Sequence, residues 1–398
     1  MEVISSNKRF SIKQIFKDHW DNFVKTSGIS IPGYVKNNVN KMLSCKDPDK
    51  LGYHKYCCPD HPKESLTIPH SCKSRFCNSC SKILTDNWLL KINSNLPNIS
   101  YYHITFTISN TLRELFRLYS FLLSDLFSAA SSAVLSWCKE KHFLPVVICV
   151  LHTFGKDLKF NSHIHMIISA GGLSLKNKNK FVYNQFIPYK MLQARWKVIL
   201  LNSLKSSIKN YLKKNDLSSN DPLNLFSDEK VLNAFFEPLY YINWYVHMGN
   251  ELTSPERTVS YVTRYAKRPP ISETRILNYD GNFVTISYKE RENSSPVKWT
   301  MPVFKFIKLL IQHILPKYFN VVRYYGLFAN KTKTKLLNLV HKIIGKISNH
   351  FKFDNWRQRQ ISLLNKDPFI CPVCNKEMIL YEMAFFSKKK NALVYKSF

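Results

Sequence analysis

Apolar and polar positions alternate along this chain in patterns that mark several elements. Tyr102-His-Ile-Thr-Phe-Thr-Ile108 alternates and is rich in β-branched residues, as a strand does. From Thr111 to Trp137, Leu112, Leu115, Phe116, Tyr119, Leu122, Leu123 and Leu126 recur at helical spacing, which predicts one long helix. Behind Pro145, Val-Val-Ile-Cys-Val-Leu-His152 reads as a second strand, and Asn161 to Ala170 as a third, closed by Gly171-Gly172. Met191 to Tyr211 reads as a long helix, and residues 213–230 as a polar loop. Ser254 can cap a helix with Pro255 at its first position and Glu256 in its first turn; Pro269-Pro270 stops it. Arg275 to Glu290 alternates around Asp280-Gly281, a hairpin signal. A strand–helix–strand–strand run followed by a helix predicts an α+β domain over residues 100–300. It is preceded by a basic helical segment (1–40) and a cysteine-rich module (41–95), and followed by a basic helical region with a CxxC pair (301–398).

Composition adds a partner to this outline. Lys and Arg number 58 against 27 Asp and Glu, a net charge of +31. Such a surplus repels itself unless a polyanion neutralises it, and nucleic acid is the leading polyanion. A membrane surface is the rival, but apolar stretches such as Phe121 to Phe127 are shorter than a bilayer span. The first residues, MEVISSNKRF, lack the apolar run of a signal peptide, so a cytoplasmic, nucleoid-associated protein with no membrane partner is expected. The 14% aromatic content suits base stacking beside phosphate contacts. A coding bias toward Phe, Tyr, Asn and Lys would produce the same enrichment.

Six of the ten cysteines fall between Cys45 and Cys80. In a reducing compartment, pairs two residues apart read as zinc knuckles. Cys58-Pro-Asp-His61 and Cys77-Asn-Ser-Cys80 are two such knuckles and together could complete one site. Cys45 and Cys72 would then be left for a second, with Cys371 and Cys374 as candidate partners. Cys57, beside Cys58, leaves the choice of ligand there open.

Asn161-Ser-His163-Ile-His165 is the sharpest chemical feature. Residues two apart on a strand share a face, so His163 and His165 can reach one ion, and His152 on the preceding strand could be a third ligand. Two ordinary histidines would look the same in isolation. Downstream, Tyr261-Val-Thr-Arg-Tyr265 puts two phenols on one helical face, with Arg264, Lys267 and Arg268 as DNA-binding candidates around them. A helix packing two tyrosines into a core is the plain alternative. A phenol titrates near ~10 when unperturbed, so a nucleophilic tyrosine needs a nearby cation to favour its anion.

The order of these features resembles a known family: the two-tyrosine transposases of the HUH (His-hydrophobe-His) endonucleases, carried by rolling-circle insertion sequences of the IS-ninety-one type. His70-Ser-Cys72-Lys-Ser-Arg-Phe-Cys77-Asn-Ser-Cys80 resembles the family's zinc module. His103-Ile-Thr-Phe-Thr-Ile108 resembles its first motif strand, and Leu151-His-Thr-Phe-Gly155 through His163-Ile-His165 its metal motif. Tyr261 to Pro270 resembles the tyrosine motif, and Arg323-Tyr-Tyr-Gly-Leu327 and Cys371-Pro-Val-Cys374 its C-terminal signatures. His61 stands where a cysteine is usual. The resemblance implies a ferredoxin-like HUH core with an antiparallel sheet, Mg²⁺ or Mn²⁺ on the histidines, structural Zn²⁺ on the cysteines, and Tyr261 and Tyr265 as nucleophiles. It implies cleavage and rejoining of single-stranded DNA at hairpin-bearing element ends through a 5′-phosphotyrosine. A homo-oligomer is one option for its assembly. A replication initiator using the same chemistry, or a non-catalytic zinc regulator, is the alternative.

Overall fold

A computed structural model of the chain describes residues 10–93, 95–184, 187–249, 251–252, 258, 269–289, 295–345, 355–387 and 389–398. Its strands, in chain order, are β1 (Gly52–Cys57), β2 (Ser65–Pro69), β3 (Tyr101–Phe106), β4 (Phe143–Phe154), β5 (Phe160–Ser174), β6 (Phe181–Tyr183), β7 (Val246–Met248), β8 (Ile276–Tyr279), β9 (Phe283–Tyr288), β10 (Val297–Pro302), β11 (Val322–Gly326), β12 (Ile379–Ser387) and β13 (Ala392–Ser397). They form three sheets, and the pairings are antiparallel.

The central sheet runs β11-β4-β5-β3-β7, with β6 also paired to β5. Strand alternation divides its side chains between two cores. Val147, Cys149 and Leu151 of β4, and Ile164, Met166 and Ile168 of β5, pack with helices Leu123–Glu140 and Tyr189–Lys214. Val146, Ile148, Val150 and Ile167 face the other way, toward helices Asn78–Asn93 and Lys333–Ile344. Near-continuous apolar strands are what burial on both faces requires. The stretch Ser120–Glu140 is long and apolar enough to cross a bilayer by length and composition, but its apolar residues are part of this core.

Helices Ile12–Thr26 and Gly33–Leu43 form a further core with the β10-β9-β8 sheet and helix Val303–Ile311. The third sheet, β13-β12-β1-β2, joins the two ends of the chain.

Several expectations change. The helix expected from Thr111 to Trp137 is interrupted: Asn110–Leu118 ends at Tyr119, and a 3₁₀ turn precedes Leu123–Glu140. Tyr119 leaves helical geometry (φ −117°, ψ 80°), and its hydroxyl meets Asp221 and the backbone N–H of Leu223. A tertiary contact thus overrides the local periodicity. Gly171-Gly172 does not close β5; the strand runs through both. A Cβ on Gly172 would lie 2.0 Å from the Leu144 carbonyl oxygen, so this glycine admits a neighbouring strand. The loop expected over 213–230 contains the 3₁₀ turn Pro222–Ser227 and the start of helix Glu229–Tyr241. The basic region after residue 302 holds the edge strand β11 between its helices. The hairpin around Asp280-Gly281 forms as expected: Asp280 accepts the backbone N–H of Asn282 and Phe283, and Gly281 takes φ +99°. The helix expected from Ser254 falls mostly outside the described residues.

Candidate metal centre and nucleic-acid groove

His152 and His163 stand directly opposite each other in the β4–β5 ladder, and His165 faces Val150 and, on the other side, Thr105. Alternation turns all three histidines to one face of the central sheet. One ligand nitrogen from each lies within 4.8 Å of the others. His163 Nδ1 lies 2.8 Å from the Asn161 carbonyl oxygen, to which its N–H donates. This leaves Nε2 as the lone-pair nitrogen, 3.1 Å from His165 Nε2. Two nitrogens on one ion roughly 2.1 Å away stand roughly 3.0–3.4 Å apart for right-angled to tetrahedral geometry. The donor set therefore fits a single divalent ion.

Electrostatics agree with ligation. Burial lowers the His165 pKa well below the ordinary histidine value, helped by the charges His152, His163 and His103 would carry. His163 is lowered by burial too, against the bond to Asn161. Neutral imidazole is the form a metal binds. Mg²⁺ takes oxygen ligands and sheds its waters reluctantly, so an imidazole set favours Mn²⁺ of the two expected ions.

His103, which the sequence marks only as the start of the first motif strand, reaches into this cluster. Its Nε2 lies 2.9 Å from His165 Nδ1, and Thr105 Oγ1 is 3.3 Å from the same nitrogen. Burial first, then His247 and His163, lower its pKa to about 4. The available signal was register: His103 and Thr105 alternate with the core residues Tyr102, Ile104 and Phe106. Arg113, on helix Asn110–Leu118, acts on His163 through its charge, and its buried Nε has no hydrogen-bond partner among the described residues.

One cavity touches the cluster through His152, and a larger one adjoins that cavity through Arg75 and Val321. One, of about 90 Å³, is lined by His152, Thr153, His313, Pro269, Pro270 and Arg75. The other, of about 880 Å³, shares Arg75 and adds Trp88, Lys317, Tyr318, Arg323 and Tyr324. Cations interleaved with aromatic faces suit a single-stranded nucleic acid. Arg75 sits between the metal-type residues Cys72 and Cys77, so the cysteine module reaches the histidine pocket. Tyr261, Arg264, Tyr265, Lys267 and Arg268 lie outside the described residues.

The cysteines sort differently from the expected pairing. Cys45, Cys72, Cys77 and Cys80 form one group; Cys58, His61, Cys371 and Cys374 form another. The two knuckles Cys58/His61 and Cys77/Cys80 thus belong to separate groups. The reason is topological: β1 and β2 carry the Cys58 knuckle away from helix Asn78–Asn93, at whose start Cys77 and Cys80 sit. In the first group Cys80 Sγ is 3.5 Å from both Cys45 Sγ and Cys72 Sγ. Hydrogen bonds from the crowded thiols, Cys72 first, hold Cys45 strongly toward thiolate. Cys57 is in neither group; it ends β1 opposite Ser65 and Ile379.

Comparison with known proteins gives this geometry a context. Residues 147–335 match the family model described as "Putative transposase", and residues 15–108 match the one described as "Transposase zinc-binding domain". The chain is 28% identical over 345 residues to the transposase for insertion sequence element IS801 of Pseudomonas savastanoi pv. phaseolicola, covering 86% of this chain and 82% of that one. It is 24% identical over 351 residues to "Putative transposase y4qJ" of Sinorhizobium fredii, covering 84% and 85%. No solved structure matches. Both matched family models are transposase models and both relatives are named transposases: the chain belongs to the IS91-type insertion-sequence transposases.

Proposed function

We propose that this transposase cleaves and rejoins single-stranded DNA at the ends of its insertion sequence by tyrosine attack, at a divalent ion held by His152, His163 and His165. The central sheet is read as the ferredoxin-like HUH core of that chemistry. The observation that carries the proposal is the pair of Nε2 atoms facing each other 3.1 Å apart, with His152 grouped beside them and lining a small cavity that shares Arg75 with a basic and aromatic groove.

When bound, the ion would polarise the scissile phosphate and offset charge developing on it. The chain's own residues do the rest. Neutral histidines position rather than donate protons, since burial holds His163 and His165 low. Lys317 and Arg75 neutralise the backbone, while the exposed Tyr318 offers a face for unpaired bases. Pro269 and Pro270, which line the small cavity, follow the Tyr261–Arg268 segment directly in sequence. That adjacency supports Tyr265 or Tyr261 as nucleophile. The phenolate oxygen bonds to phosphorus, the bond from phosphorus to the 3′ oxygen breaks, and the leaving oxygen takes a proton as a 3′-OH. The 5′-phosphotyrosine keeps the bond energy for rejoining, and the second tyrosine can attack a second strand. Arg264, Lys267 and Arg268 add phosphate contacts along the same segment. On this reading the protein works in the bacterial cytoplasm, at the nucleoid.

The test incubates the full chain with labelled single strands from the element ends and Mn²⁺ or Mg²⁺. A covalent adduct is expected, lost in the Tyr261→Phe/Tyr265→Phe double variant while binding persists, and lost with EDTA or His163→Ala. Adducts that survive the double substitution would remove the tyrosines from the mechanism. Binding without any adduct in the unaltered protein would favour a non-catalytic regulator.

A further inference from the structure

The tail of the chain carries a cysteine pair that neither family match reaches, since those matches end at residues 108 and 335. The fold brings this pair to the head. β12 lies beside β1 with Gly52 opposite Phe385 and Cys57 opposite Ile379. Cys371 and Cys374 thereby meet Cys58 and His61, with all four ligand atoms within 4.8 Å of one another. Cys58 Sγ is 3.4 Å from Cys374 Sγ, across a sequence separation of 316 residues, and 3.8 Å from His61 Nδ1.

Three readings of this cluster compete. A disulfide needs sulfurs about 2.05 Å apart and would leave two donors unused. A hydrophobic contact is the second, but the buried members of this core are Cys58, Cys371 and Met378, joined by the half-buried Tyr56, Leu66 and Cys374. That is little apolar surface to hold two ends of a chain together. A tetrahedral ion is the third. Thiolates about 2.3 Å from one zinc stand roughly 3.8 Å apart, close to the separations here. The C-terminal half is also built as a knuckle. Asn375 takes φ 57° and donates its N–H to the Cys371 carbonyl. Backbone N–H groups of Cys374 and Val373 point to the Cys371 sulfur, and that of Lys376 to the Cys374 sulfur.

We propose that Cys58, His61, Cys371 and Cys374 hold a second structural zinc ion, which clasps the tail of the chain to its N-terminal module. The ion closes the β13-β12-β1-β2 sheet at the end where the two knuckles meet. Lys376 and Asp60, paired at 2.6 Å, lie on the same two knuckles. The N-terminal zinc-binding module is therefore completed from the other end of the chain, whatever chemistry the histidines perform.

The zinc content of the purified full chain tests this, together with the spectrum of its cobalt-substituted form. Two ions per chain are expected. Cys371→Ser/Cys374→Ser should leave one ion with the spectrum of four thiolates, and Cys77→Ser/Cys80→Ser should leave one with three thiolates and an imidazole. His61→Cys should keep both ions and raise the thiolate-to-cobalt charge-transfer intensity by about one part in seven, since the seven thiolates of the two groups become eight. One ion in the unaltered protein, or two retained in the Cys371/Cys374 variant, would overturn the proposal. Should that variant fail to fold, an unchanged cobalt spectrum in His61→Cys would overturn it equally.

Discussion

The histidine cluster and the cysteine clusters gather their ligands by different means. His152, His163 and His165 are placed by the register of two adjacent strands, and both faces of that sheet have an apolar core of their own. The cysteines are gathered by turns and strand ends, Cys58 with partners from the far end of the chain. In the first region the fold makes the site; in the second the site makes much of the fold. On the proposed reading, the same ligand chemistry serves catalysis in one place and structure in the other.

The sharpest way to break that comparison is to remove one ligand from each. Zinc-coupled folding is worth on the order of 10 kcal/mol in small zinc modules. Cys77→Ser is therefore expected to abolish the cooperative thermal transition of the core around Cys45, Cys72 and Cys80, while the sheet that carries Cys58 and Cys371 keeps its own ion. His163→Ala should leave the melting temperature within a few degrees, because a buried polar group is removed while the cores stay intact. Its metal-dependent cleavage should nonetheless fall by about 100-fold or more, a loss of roughly 3 kcal/mol in transition-state stabilisation. Thermal unfolding and adduct formation measured on both variants check this. A His163→Ala protein that melts as early as Cys77→Ser would erase the distinction.

The same contrast explains what could be read in advance. The histidine face was legible because alternation along a strand has a fixed period: Ile164 goes to the core, and His163 and His165 go together. The pairing of cysteines was not, because a CxxC spacing identifies a knuckle but not its partner, and the partner here arrives through β12. β11 was missed for a related reason. Val322-Arg-Tyr-Tyr-Gly326 is half-buried at a sheet edge, so it shows neither a buried apolar run nor a helical period. Gly171-Gly172 looked like a strand end because glycine is usually punctuation. Here it is a close approach, which yields a second test. Gly172→Ala would drive a Cβ to 2.0 Å from Leu144 O, a backbone atom that cannot rotate away. A loss of about 3 kcal/mol is expected. Gly281→Ala, at φ +99° but with nothing within 4 Å of the added carbon, should cost about 1 kcal/mol. Equal losses in chemical denaturation would mean that packing against β4 is not what selects glycine at 172.

His313 sharpens the comparison from a histidine that lines the small cavity but is in none of the ligand groups. Its Nε2–H donates to the Leu158 carbonyl at 2.9 Å, and its Nδ1 accepts from Thr153 at 3.1 Å. The neutral ring is fully paired, and burial lowers its pKa to about 4. The unfolded chain takes this proton near ~6.5, whereas the folded chain refuses it until about 4. Below ~6.5 the unfolded state therefore binds more protons, and stability falls with pH until the folded value is reached. Between pH 7 and 5 this amounts to on the order of 2 kcal/mol. His313→Gln should flatten that part of the pH dependence in urea unfolding. An unchanged slope would assign the acid sensitivity to other groups.

The smallest expected effect concerns His103, and it asks how far strand register extends the metal site. If His165 binds the ion through Nε2, its Nδ1–H must donate, and the lone pair 2.9 Å away on His103 Nε2 is the acceptor. That bond holds the His165 ring in the orientation that faces His163, and it selects the tautomer. Ligand-orienting partners of this kind are typically worth ten- to a hundredfold in metal affinity. His103→Phe should therefore weaken Mn²⁺ binding by about tenfold in calorimetric titration, with stability little changed because β3 stays packed through Tyr102, Ile104 and Phe106. His103→Gln, whose side-chain oxygen can accept the same N–H, should recover most of the affinity. Should the Phe variant bind Mn²⁺ as tightly as the unaltered protein, His165 does not depend on His103 for its orientation. The site would then end at the two strands that carry its ligands.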